Sequence, residues 1–109
     1  MNQYMTELGE RAIACKNWAW MPGMADCWGG RVREGDGLNR NTAFPDLRDP
    51  ATMGCLLALV REAWGDPKVS PEWDAYDGKW AIVVGEVGER WFFDETEAGV
   101  LVAALEAAP

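Results

Sequence analysis

The chain has 109 residues, 49% of them apolar, which is enough for one domain with its own core and too few for two. Ten lysines and arginines stand against 18 aspartates and glutamates, and the resulting net charge of -8 argues against general binding to nucleic-acid backbones or anionic membranes. Seven tryptophans accompany no histidine, so aromatic surface is plentiful while the commonest general base and metal ligand is missing.

Residues 3–16 predict a first helix, with Tyr4, Leu8, Ala12 and Cys15 on one side and Gly9 as its weak point. From Asn17 to Arg48, Met-Pro-Gly at 21–23, Gly29-Gly30 and Gly35-Asp36-Gly37 break the chain into short apolar pieces. Two of these, Trp18 to Met21 and Arg31 to Arg33, predict short strands joined by turns, and residues 35–42 predict a mobile loop. A second helix follows: Asp49 is placed to cap it, Pro50 suits its first position, and Met53, Leu56, Leu57, Val60 and Trp64 recur at three- and four-residue intervals up to Gly65. Gly54 inside it costs about 1 kcal/mol relative to alanine. Either a neighbouring element packs closely there or the position is a weak spot.

Asp77-Gly78 between two apolar runs predicts a two-residue hairpin turn. Tyr76 then faces Lys79, which sets Ala75 across from Trp80 and Trp73 across from Ile82. A second reversal through Gly85-Glu86-Val87-Gly88 sets Val84 opposite Glu89, Ile82 opposite Trp91 and Trp80 opposite Phe93. One face of this meander then carries Trp73, Ala75, Trp80, Ile82, Val84, Trp91 and Phe93, the expected core face. The other carries Asp74, Tyr76, Lys79, Ala81, Val83, Arg90 and Phe92. Asp94 and Glu97 predict a capping box for a last helix whose buried stripe is Ala98, Leu101, Val102 and Leu105. The expected fold is α+β: a single domain over residues 1–109, with an antiparallel sheet made of the C-terminal three-stranded meander and the short N-terminal strands, packed by three helices.

Trp64, Trp73, Trp80 and Trp91 are thereby assigned to the core. Trp18, Trp20 and Trp28 are left, in a segment that also holds Lys16, Arg31, Arg33, Arg40 and Arg48. Aromatic faces beside guanidinium groups can hold a planar base and its phosphate, so Trp18, Trp20, Trp28, Arg31, Arg33, Arg40 and Arg48 are the candidate ligand-binding residues. The alternative is that these tryptophans plug the core while the arginines pair with Glu34, Asp36, Asp46 or Asp49.

No catalytic constellation is recognisable. A serine or cysteine hydrolase of the usual kind lacks its histidine, and the clustered carboxylates sit at helix starts, where capping explains them. Gly35-Asp36-Gly37 is too short and too acidic for a phosphate cradle. Cys15, Cys27 and Cys55 form no CxxC pair, so neither a disulfide framework nor a metal site follows, and no cofactor is implied. The N-terminal residues lack a basic leader followed by an apolar core, and no apolar run is long enough to span a bilayer, so the expectation is a cytoplasmic protein without a membrane partner.

Three segments carry a resemblance: ACKNWAWMPGM at 14–24, PDLRDPATMGCLLALVREAWGDP at 45–67 and TEAGVLVAALEAA at 96–108. Together they cover somewhat under half the chain and resemble a group of short uncharacterised proteins of tailed phages and prophages. The resemblance implies a phage or prophage origin and expression in the host cytoplasm. In layout alone the chain is similar to phage α/β/α-sandwich proteins, which include anti-defence proteins that sequester cyclic ADP-ribose-type immune signals, and no binding residue carries over from them. The resulting expectation is a non-enzymatic binding protein that sequesters a small nucleotide signal between subunits of a homo-oligomer. The alternatives are an interaction module or acidic nucleic-acid mimic directed at a host defence protein, and a phage assembly or housekeeping protein.

Overall fold

The computed structural model describes residues 2–34, 43–85 and 90–109. Its elements are α1 (Gln3–Ile13), α2 (Pro50–Trp64), β1 (Glu72–Asp74), β2 (Lys79–Val84), β3 (Arg90–Asp94) and α3 (Glu97–Ala107). The strands form one antiparallel sheet in the order β1-β2-β3, so the α+β architecture of three helices on a C-terminal meander is the one observed.

Each helix starts where a side chain satisfies an otherwise orphaned amide. Asn2 accepts from the Met5 amide, Asp49 from that of Thr52, and Thr96 from that of Gly99. Pro50 occupies the first turn of α2, and Gly65, at φ 62°, ends it in the left-handed region. The cap of α3 differs from the Asp94 capping box read in the sequence. Asp94 is still the last residue of β3, paired with Trp80, so its backbone stays extended and the helix begins after Thr96 instead.

Helix α3 is the centre of the core. It packs against β2, β3, α1 and α2, and Ala98 to Val102, Ala104 and Leu105 are all buried. A helix covered on every side needs no polar face, which is why EAGVLVAALEA shows little amphipathic pattern. Around it Leu8, Leu56, Val60, Val69 and Ile82 complete the apolar cluster. Trp64 closes one end, donating its indole N–H to the Ala104 carbonyl at 2.8 Å and packing on Phe92. The glycine of α1 has a packing reason: a Cβ at buried Gly9 would lie 3.0 Å from both the Phe44 ring and the Pro45 carbonyl. Gly54 has none, since a Cβ there meets nothing within 4 Å.

The short N-terminal strands are reduced, among the described residues, to isolated bridges of Ala25 with Arg31 and of Asp26 with Pro45. The segment is tied down by side chains instead: the Asp26 carboxylate accepts from the amides of Trp28 and Gly30. The loop expected at 35–42 lies outside the described residues.

Both hairpin registers differ from the sequence reading. Between β1 and β2 the pairs are Asp74 with Lys79 and Trp73 with Trp80. The turn is wider because Asp74, rather than Asp77-Gly78 alone, organises it: its carboxylate accepts from the Tyr76 amide and its carbonyl from Gly78. This shift by two residues keeps the faces as expected. Between β2 and β3, Val84 pairs with Arg90 and Ile82 with Phe92, one residue out of the expected register. An odd slip turns every side chain of β3 over. Phe92 therefore faces the helices, and Trp91 and Phe93, assigned to the core by sequence, point outward.

Candidate functional site

The N-terminal tryptophans are dispersed. Trp20 is 7% exposed within the core, and Trp18, half-buried, packs edge-on against it with ring centroids 5.5 Å apart. Trp28 stands 76% exposed in the turn held by Asp26. Two of the four candidate arginines are committed to carboxylates. Arg31 grips Asp49 through two hydrogen bonds of 2.9 and 3.0 Å and also donates to the Gly23 carbonyl, while Arg48 holds Asp46 at 3.0 and 3.1 Å. Arg33 is exposed, and Arg40 lies outside the described residues. The structure thus brings Trp18 to Trp20 and Arg31 to Asp49, whereas Trp28 projects into solvent.

These ion pairs do structural work at the entrance to α2. The Arg31 guanidinium, followed by the Thr52 amide, holds the Asp49 carboxyl well below the usual carboxylate range, and Arg48 lowers Asp46 in the same way. A carboxyl lowered on folding adds stability that is complete above its unfolded pKa and lost as the pH falls through the folded value. The thermal midpoint is therefore expected to fall on acidification below about pH 4, and Arg31→Gln is expected to flatten that fall. Circular-dichroism melts across the acid range measure both.

Larger depressions lie elsewhere. One of about 780 Å³ is lined by Trp64 to Lys68, Val83 to Gly85 and Arg90. Another, of about 580 Å³, runs between α2 and the start of α3 over Met53, Gly54, Leu57 and Leu101. Neither gathers a nucleophile with a base, and among the described residues no group of His, Cys, Asp and Glu is arranged to hold a metal ion. Burial raises the thiol pKa of Cys15 and Cys55, which disfavours their thiolate forms. No described helix is long and apolar enough to cross a membrane.

The most distinctive surface is the outer face of the sheet. Trp91 and Phe93, two apart on β3, lie with their rings nearly parallel at 8° and centroids 6.0 Å apart, 57% and 45% exposed. Ala81 and Val83 of β2 lie across from them on the same face, and Glu72, Asp74 and Lys79 continue it toward β1. Trp73 at the sheet margin is 53% exposed, with one ring edge on Trp80, and Tyr76 at the turn is 96% exposed. Sequence reasoning placed Trp73 and Trp91 inside. No local signal fixes the placement of Trp91, because the sequence between Val84 and Arg90 does not decide whether the register is odd or even; Trp73 keeps its expected face and is exposed because it lies at the sheet margin.

No protein-family model matches the chain, and no curated protein or solved structure matches it significantly.

Proposed function

We infer that this protein is a non-enzymatic interaction module that docks a basic segment of another protein on the outer face of its sheet. The observation that carries the reading is the exposed Trp91–Phe93 pair, whose rings lie nearly parallel and stacked. Large aromatic side chains bring contact area at low entropic cost and anchor interfaces, whereas in a monomer they are ordinarily buried. Their flat faces suit a guanidinium or an aliphatic stem, and the net charge of -8, to which Glu72 and Asp74 contribute beside a single Lys79 on the same face, draws a cationic partner. The phage origin implied by the sequence resemblance makes a host defence or regulatory protein in the host cytoplasm the natural target.

The experiment is affinity capture from host lysate, followed by reconstitution with the purified partner and calorimetry. A stoichiometric complex that weakens with salt, and weakens at least about tenfold on Trp91→Ser, supports the reading. Full binding by Trp91→Ser and Phe93→Ser variants overturns it. Saturating heat from cyclic nucleotides, with no protein partner, returns the assignment to small-ligand sequestration around the N-terminal tryptophans.

A further inference from the structure

We propose that two copies of the chain associate edge to edge through β3, forming a continuous six-stranded antiparallel sheet. β3 is an edge strand of five residues, and no described backbone group outside the sheet bonds to it. Soluble proteins guard such edges with charged side chains, lysine above all, with proline, with a bulge or with extreme shortness. The sequence RWFFD has no lysine or proline, its five pairs with β2 run without a bulge, and its two charges, Arg90 and Asp94, are of opposite sign at its two ends.

The sequence of this edge is complementary to itself. In an antiparallel pair about a two-fold axis at Phe92, Arg90 stands opposite Asp94 of the second copy, and Trp91 stands opposite Phe93, each twice. Directly opposed side chains have Cβ atoms about 5 Å apart, within reach of an arginine–aspartate ion pair and of aromatic contact. Both charged groups have capacity to spare. The Arg90 guanidinium lies over the Trp64 and Phe92 rings, at 5.6 and 5.4 Å from their centroids, with no carboxylate partner among the described residues. Asp94 receives the Tyr4 hydroxyl and the Thr96 amide on Oδ1, which leaves Oδ2 without a described donor. The opposite edge gives the contrary result: β1 has three residues, and pairing it with itself about Trp73 would set Glu72 against Asp74 twice. Like charges directly opposed repel. The sheet thus has one self-attracting edge and one self-repelling edge, which selects a closed dimer over an open fibre.

The short contact and the net charge of each copy predict a weak, reversible dimer, with Kd on the order of 10–100 µM. Sedimentation equilibrium from about 1 to about 500 µM tests this on the intact chain. The expected result is a monomer–dimer equilibrium whose Kd rises about tenfold or more in Arg90→Glu, which places a glutamate opposite Asp94. Because Arg90 also contacts two rings, the exposed Trp91→Lys variant provides a second disruption, and near-ultraviolet circular dichroism confirms that each variant is folded. Hydrogen exchange should show β3 amides gaining protection with concentration while β1 amides do not. A single monomeric species throughout, a dimer indifferent to both substitutions, or protection that grows at β1 instead overturns the proposal. A folded monomer that still captures the basic partner sinks the dimer alone, and a β3 dimer that captures nothing sinks the interaction reading alone.

Discussion

Replacing Gly99 with alanine should destabilise the fold by about 1–3 kcal/mol, even though alanine is the better helix former. Gly99 lies in the first turn of α3, where its amide is capped by the Thr96 hydroxyl at 2.9 Å. A Cβ at this position would collide with the Asp94 carboxylate and lie 2.7 Å from the Tyr4 hydroxyl. Those two groups form the junction that fastens α1 to the β3–α3 corner: the Tyr4 hydroxyl donates to Asp94 at 2.7 Å and meets the Thr96 hydroxyl at 3.0 Å. The carboxylate can swing aside, so the cost is the loss of this charge-assisted network rather than an unrelieved clash. A double-mutant cycle with Asp94→Ala, read by urea denaturation, isolates the effect. Most of the Gly99→Ala penalty should vanish once the carboxylate is gone. A penalty that persists unchanged would place the strain in the helix backbone instead.

How far the sequence exposes this fold depends on whether each feature is written locally. Helix α2 is legible end to end because Asp49, Pro50 and Gly65 act within a few residues of themselves, and the observed boundaries follow them. The hairpin faces depend on parity. The Asp77-Gly78 turn misleads by two residues without consequence, whereas a single residue more between β2 and β3 exchanges Trp91 and Phe93 for Phe92 at the core. Nothing local to RWFFD decides that exchange, since both faces of the strand are aromatic. What decides it is non-local: Phe92 finds Trp64 from the end of α2, 28 residues earlier in the chain, with ring centroids 6.0 Å apart.

The N-terminal segment illustrates the converse. Its tryptophans and arginines look alike in sequence, yet the ion pairs that absorb Arg31 and Arg48 are set by the two aspartates at the mouth of α2, Asp49 and Asp46. An arginine already held in a two-bonded carboxylate pair has little left to offer an anionic ligand. The same physical reasoning moves the candidate surface from the tryptophan-rich half of the chain to the sheet, where aromatic rings are exposed without such obligations.

The second large effect is expected at Thr52, where valine should cost about 1–3 kcal/mol despite matching threonine in shape. Thr52 is fully buried, and its hydroxyl is a relay: it donates to Asp49 Oδ2 at 3.0 Å and accepts from the Ala25 amide at 2.8 Å. That second bond is the buried link between the irregular N-terminal segment and the first turn of α2, across 27 residues of chain. Valine would keep the cap from Asp49 to the residue 52 amide but strand the Ala25 N–H, which sits in a residue only 7% exposed. Removing one partner of a buried pair exacts the full desolvation cost of the other, whereas the net worth of an ordinary hydrogen bond is nearer about 1 kcal/mol. Serine retains the hydroxyl and gives up only a methyl group, so Thr52→Ser should lose less than valine does. Urea denaturation at constant m-value ranks the two variants, and hydrogen exchange at the Ala25 amide identifies the cause. If valine is tolerated better than serine, the site is governed by apolar packing and the relay contributes little; if it is worse, a single hydroxyl anchors the segment that carries Trp28 and Arg31 to the start of α2.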